Sequence, residues 1–148
     1  MKQQSNTRKA VLEDAGALQK CMESAYAPYQ DRMDGIRLPP MDVDYSIEIV
    51  KYSTWVAELN GEIVGGLIMV FEDDHASIAN IAVHPEFQGH GLGGGLMRFA
   101  EAIAKEKNYA ELSLATHVLL TENLSLYTYL GWKEIARDVV RVYMKKDI

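Results

Sequence analysis

Cysteine is nearly absent. Cys21 is the only one in 148 residues, so no disulfide can close within the chain. That composition suits a reducing compartment, and the expectation is a cytoplasmic protein. Cys21 falls on a stretch that reads as an amphipathic helix, where a packed thiol is the expected role. Long apolar runs are missing too. The longest, Ile63 to Phe71, is too short to cross a bilayer, and Met1 to Lys9 has no apolar signal core. Basic side chains are outnumbered, 15 Lys and Arg against 21 Asp and Glu, for a net charge of −6. This balance argues against nucleic acid as a partner, because phosphate neutralisation needs a basic patch. No Gly-Lys-Ser/Thr occurs, which excludes a P-loop. No repeat or low-complexity tract is evident. The length fits one domain over residues 1–148, large enough to bury a core without staples.

Glycine, by contrast, is crowded into one place. Five of the seven residues from Gly89 to Gly95 are glycine. They follow a strand-like run, Ile81-Ala82-Val83-His84-Pro85. They precede a segment in which Leu92, Leu96, Phe99, Ala100, Ile103 and Ala104 recur at helical spacing. Glycine inside a helix costs about 0.5–1 kcal/mol relative to alanine, so Gly93, Gly94 and Gly95 in a first turn cost about 2 kcal/mol. A helix start with a purely structural task would use Ser, Asp or Pro. Backbone stripped of side chains at a helix N-terminus admits an anion closely, and unpaired N–H groups and the helix dipole hold it. The segment reads as a pyrophosphate cradle; a flexible connector without ligand is the alternative. Its spacing, Gln88-x-x-Gly91-x-Gly93, is not the dinucleotide pattern, and Glu111 opens the next apolar run instead of ending it.

The remaining chain alternates short elements. Arg8 to Leu12 reads as a strand, followed by a helix capped by Glu13 or Asp14 and running to Tyr26, with Pro28 beyond it. Residues 27–52 start irregular around Pro39-Pro40, and Asp42 or Asp44 then caps a second helix. Thr54–Leu59 and Glu62–Phe71 form a hairpin around Asn60-Gly61, and Gly65-Gly66 marks a bulge or a close backbone approach. His75–Val83 is a strand, Gly91–Lys107 a helix, Glu111–Ala115 a strand and Glu122–Leu130 a helix. Trp132–Arg137 and Val139–Lys145 close as strands.

Two of these segments carry a resemblance. Ile-Ala-Val-His-Pro followed by Gln88-Gly89-His90-Gly91-Leu92-Gly93 resembles the acyl-CoA-binding motif of the GNAT acetyltransferase superfamily, Q/R-x-x-G-x-G/A. Farther on, the run from Glu122 to Trp132, with Tyr127, Gly131 and Trp132, is similar to the family's closing motif, Tyr-x-x-x-Gly-aromatic. The likeness extends from about Thr7 to Lys145 and is loose over the first fifty residues. It implies an α/β (α+β) fold: a mixed, mostly antiparallel central sheet of about six to seven strands with helices on both faces.

The resemblance also implies roles. Backbone of Ile81, Ala82 and Val83 would pair with the pantetheine arm of acetyl-CoA. Gln88, Gly89, His90, Gly91, Leu92, Gly93 and Gly94 would hold the pyrophosphate. His90 stands where the family is often basic, and a solvent-facing role is equally open. Tyr127 would be the catalytic residue, protonating the departing thiolate or stabilising it by a hydrogen bond; core packing with Leu124 and Leu130 is the competing use. Tyr129 and Gly131-Trp132 read as structural. Many members carry Asn where this chain has Leu120. Asn123 would reach the cofactor, or else cap its helix.

The base is less defined. Some relatives place Glu at the position of Ser77, which cannot serve, leaving Glu72, Asp73, Asp74, His75 and His117 as candidates. The acceptor site is expected from residues 26–52, with Tyr26, Tyr29, Arg32, Met33, Met41 and Tyr45 as pocket or lid. The expected activity is acetyl transfer from acetyl-CoA to a small-molecule or peptide amine by direct attack, with no metal, no membrane and no nucleic acid. The chain would act as a monomer or homodimer. A non-catalytic acyl-CoA-binding module is the rival, and binding of another diphosphate a third reading.

Overall fold

The computed structural model describes residues 6–33 and 35–148. Strand β1 spans Asn6–Lys9, β2 Ser53–Leu59, β3 Glu62–Phe71, β4 Ala76–Val83, β5 Glu111–His117, β6 Lys133–Arg137 and β7 Arg141–Asp147. Helix α1 spans Ala15–Tyr26, α2 Tyr45–Lys51, α3 Leu92–Glu106 and α4 Thr121–Tyr129. The seven strands form one sheet in the order β1-β2-β3-β4-β5-β7-β6. Every pairing is antiparallel except β4 with β5. This is the mixed, mostly antiparallel sheet that the resemblance implied.

Boundaries differ where local signals compete. Leu12–Asp14 is a 3-10 turn and not the end of the first strand. Val139 and Val140 belong to the β6–β7 turn, because the Asp138 carboxylate accepts from the N–H groups of Val140 and Arg141 at 2.8 and 2.7 Å. Much of the segment from residue 27 to 44 is 3-10 turn, over Ala27–Met33 and Pro39–Met41. Asp44 is the cap of α2, accepting from the Ser46 N–H at 3.0 Å. Asn60 and Gly61 both take positive φ, 53° and 81°, as a tight hairpin turn between right-twisted strands requires.

Period-two alternation divides the core between the sheet's faces. Leu67 and Met69 of β3, with Leu112 and Leu114 of β5, pack under Leu96, Met97 and Ala100 of α3. Val56 and Ile68 point the other way, into Leu18, Met22 and Tyr45 of α1 and α2. Gly65 and Gly66 serve both readings made of them. The register shifts between Ala57 and Glu58, leaving Val64 as a bulge. A Cβ on Gly66 would stand 2.6 Å from Leu18 Cδ1, and one on Gly65 3.1 Å from the Ala82 carbonyl oxygen. The α1 helix covers β3 and β4 on its face. Among the described residues no α-helix covers β5, β7 and β6 on that face, and this bare half-sheet shapes the site.

Candidate active site

Strands β4 and β5 pair only at Ser77 with Ser113 and Ile78 with Leu114. The β3–β4 register then slips, so that Ile68 faces Asn80 while Met69 faces Ile78 and Ala79 is left as a bulge. Past it β4 stays with β3 while β5 follows β7, and a wedge opens between them. His84 N–H donates to the Val64 carbonyl at 2.8 Å. Because antiparallel ladders alternate, Ala82 turns its polar groups to β3, and Ile81 and Val83 turn theirs into the wedge. Both carbonyls are engaged there: Ile81 by the Tyr26 hydroxyl at 3.3 Å, Val83 by the Gln88 side-chain amide at 3.1 Å. Their N–H groups remain as donors on the open edge.

The turn after β4 is wound tightly. His84 Nδ1 accepts from the Glu86 N–H at 3.1 Å, and Gln88 N–H donates to Pro85 at 3.3 Å. Gly89 and Gly91 then take φ of 84° and 80°, which only glycine adopts readily. The first bond of α3 is Gly95 N–H to the Gly91 carbonyl at 3.0 Å. The N–H groups of Gly89, His90, Gly91, Leu92, Gly93 and Gly94 meet no acceptor among the described residues. Arg98 leans back over this turn. Its guanidinium lies 3.3 Å from where a Cβ on Gly94 would be, so a cation joins the bare amides at the positive end of the helix.

These parts enclose a cleft of about 360 Å³, lined by all the cofactor-binding candidates of the sequence except His90, whose side chain is exposed outside it. Gln88 lines it but has its own N–H and its side-chain amide engaged, and Ala82 contributes surface but no free N–H. Tyr29, Glu122 and Tyr127 complete the far wall. A second cleft of about 520 Å³ lies on the bare half-sheet, under Leu38, Pro39 and Pro40. The two clefts share Tyr26, Ile81 and Tyr127.

Tyr127 is held by its helix end. Gly131 takes φ of 98°, its N–H donates to Thr128 at 3.1 Å, and Trp132 N–H donates to the Tyr127 carbonyl at 2.9 Å. This is a Schellman cap, and it explains why glycine and an aromatic follow the tyrosine at that spacing. The Trp132 ring packs 6.4 Å from that of Tyr127. Burial, with Tyr29 adding to it, pushes the Tyr127 phenol up to about 12. Tyr26 is tied differently: its hydroxyl donates to Asn80 Oδ1 at 3.0 Å, and Asn80 Nδ2 donates to the Tyr45 hydroxyl at 3.1 Å. Tyr45 donates in turn to the Pro40 carbonyl at 2.5 Å. Burial raises both of these phenols as well. Asn123 sits inside the first turn of α4, whose N-cap is Leu120, so it lines the cleft and does not cap the helix.

Other candidates separate. Glu72, Asp73 and Asp74 lie off both clefts, while His75 and His117 line the second. His117 Nδ1 accepts from the Leu119 N–H at 3.1 Å, and His75 Nε2 lies 3.1 Å from Ser113 Oγ. Met33, Met41 and Tyr45 are buried core under α1. Arg32 forms a two-bond pair with Glu122, each bond 2.7 Å, and donates to the Leu119 carbonyl at 3.0 Å. The sequence reading missed Arg98 and Asn80. Arg98 had a signal, since it lies one turn beyond Gly94 on the same helix face; Asn80 had none. No group of His, Cys, Asp and Glu among the described residues is arranged to hold a metal ion, and no described helix is long and apolar enough to cross a membrane.

Residues 18–132 match the family model described as the acetyltransferase (GNAT) family. The chain belongs to this family. An uncharacterized N-acetyltransferase of Chlorobaculum tepidum is 31% identical over 132 residues, 88% of this chain and 77% of its own. Another, from Escherichia coli K12, is 27% identical over 136 residues, 86% of this chain and 81% of its own. Among solved structures, the PaiA N-acetyltransferase from Thermoplasma acidophilum in complex with coenzyme A superposes with a TM-score of 0.85 at 20% identity. That match covers 98% of this chain and 99% of the other. The fold is thus that of GNAT acetyltransferases.

Proposed function

We propose that this GNAT protein transfers an acetyl group from acetyl-CoA to an amine, with the donor in the first cleft and the acceptor in the second. The observation that carries the reading is the meeting of the two clefts at Tyr26, Ile81 and Tyr127. A thioester reaching that junction from one side is open to an amine from the other. The crystallised relative with coenzyme A supports the choice of donor.

The residues fit such a donor. Free N–H groups of Ile81 and Val83 are placed to pair with the amides of a pantetheine arm and to polarise a carbonyl. The bare amides from Gly89 to Gly94, with Arg98 beside them, suit a diphosphate. The bound thioester supplies an acyl group already activated for attack. The amine nitrogen forms the new C–N bond, the C–S bond breaks, and the nitrogen loses one proton while the sulfur gains one. Tyr127, neutral at physiological pH, donates a hydrogen bond or its proton to the departing sulfur. No protein nucleophile is required.

The test is calorimetry with CoA, ADP and NAD, joined to thiol release with a panel of amines. Selective CoA binding and amine-dependent release of CoA are expected. Tight CoA binding without turnover on any amine would favour a non-catalytic acyl-CoA-binding module. An equal response to the three nucleotides would favour a generic diphosphate site.

A further inference from the structure

The second cleft has an uneven charge. Arg141, His75 and His117 line it, and no Asp or Glu does among the described residues. This is unexpected in a chain with a net charge of −6. The cause is the register of the bare half-sheet. Leu112, Leu114, Val142 and Met144 fill the core under α3, so Ser113, Ala115, His117, Arg141 and Tyr143 face the opposite side. There α1 packs on β3 and β4 and stops short.

His117 and Arg141 are direct cross-strand partners, so their side chains leave the sheet about 5 Å apart. Both present donors. His117 Nδ1 is occupied by the Leu119 N–H, which places a proton on Nε2 in the neutral ring. No carboxylate lies within ion-pair distance of the Arg141 guanidinium among the described residues. Asp138 is the carboxylate that Arg141 feels through charge, but it accepts its hydrogen bonds from the N–H groups of Val140 and Arg141 and from the Tyr143 hydroxyl, leaving the guanidinium fork without a direct partner among the described residues. A planar fork beside an imidazole N–H is suited to a carboxylate or phosphate. Leu38, Pro39 and Pro40 supply apolar wall between that end and the junction at Tyr127.

We infer that the acceptor is an amine that also carries an oxyanion, with Arg141 and His117 holding the anion while the amine reaches the junction of the clefts. This rests on the acetyl-transfer reading above. The local lining, not the total charge, faces the acceptor.

The experiment compares matched acceptors: β-alanine with its amide, phosphoethanolamine with ethanolamine, and spermidine as a polycation. Thiol release is measured in the wild type and in Arg141→Ala, Arg141→Lys and Arg141→Glu, with CoA affinity by calorimetry in parallel. The anionic member of at least one pair is expected to have a kcat/KM about ten-fold or more above its neutral counterpart. The carboxylate and phosphate pairs separate the two oxyanions. The ratio should fall toward one in Arg141→Ala, persist in part in Arg141→Lys and invert in Arg141→Glu. Calorimetry of β-alanine and phosphoethanolamine against the CoA complex should show the same ranking without turnover. Efficient transfer to neutral amines or spermidine without anionic preference overturns this inference and leaves acetyl transfer standing. So does a ratio unchanged in Arg141→Ala. CoA binding with no transfer to any amine, or no CoA binding, overturns both.

Discussion

The side-chain amide of Gln88 donates to the main-chain carbonyl of Val83 at 3.1 Å. The bond runs from the start of the glycine turn back to the last residue of β4. It joins the two parts of the first cleft, the strand edge and the glycine turn, and fixes the angle between them.

Gln88→Leu removes this donor and leaves the Val83 carbonyl without a partner. Loss of one such bond at a partly buried site is worth about 1–3 kcal/mol. Affinity for CoA should drop about ten-fold by calorimetry, with the circular dichroism spectrum unchanged. Wild-type affinity would mean that the link does not set the cradle.

Gly93 and Gly91 are expected to behave differently. A Cβ on Gly93 meets only Val83 Cγ2, at 3.9 Å, so the protein itself has room for a side chain. Gly93→Leu should therefore keep or raise the melting temperature, since leucine is the better helix former, yet block CoA binding. Gly91 sits at φ of 80°. Gly91→Ala is predicted to lose about 1–2 kcal/mol of stability as well as affinity. Thermal melts with and without CoA separate the two effects.

Tyr127→Phe should lower kcat about 10²-fold and change the KM for acetyl-CoA little. Burial pushes the Tyr127 phenol up to about 12. At neutral pH and moderately above it, the activity of the wild type should therefore show no descending limb from Tyr127. An unaltered kcat in Tyr127→Phe would remove the residue from the chemistry.

The Arg32–Glu122 pair ties the 27–33 segment to α4 beside the first cleft, which Glu122 lines. The Arg32 guanidinium, with the Thr121 hydroxyl, holds the Glu122 carboxyl down at about 2. A depressed carboxyl contributes stability above its ordinary pKa of 4.5, lost as pH falls from there toward 2. Glu122→Gln should thus be less stable than wild type at pH 7 and converge with it near pH 2. Denaturant melts across that range check the sign. Because both side chains are exposed, the effect is expected to be small.

Local chemistry made much of this legible in advance. The hairpin at Asn60-Gly61, the cap at Asp44 and the glycine turn before α3 each depend on residues within a few positions of one another. Their signals survive in the linear chain. So does the Tyr127–Gly131–Trp132 spacing, because a Schellman cap closes within one helix end. Of the two uses open to the His90 side chain, the exposed one is what the structure shows, while its N–H stays among the bare amides of the turn. Met33, Met41 and Tyr45, read as pocket or lid, are core side chains of the segment that covers α1, since α1 presents an apolar face to them.

Helical and strand periods, turn residues and the naked amides before α3 follow from the amino-acid order, because short-range sterics and hydrogen bonding settle them. The parting of β4 from β5, the return of Arg98 over Gly94, the Tyr26–Asn80–Tyr45 chain and the placing of His117 against Arg141 do not. Each depends on which strands become neighbours and in what register. That choice is made by burying two opposite faces of one sheet at once, and no window of the sequence contains it.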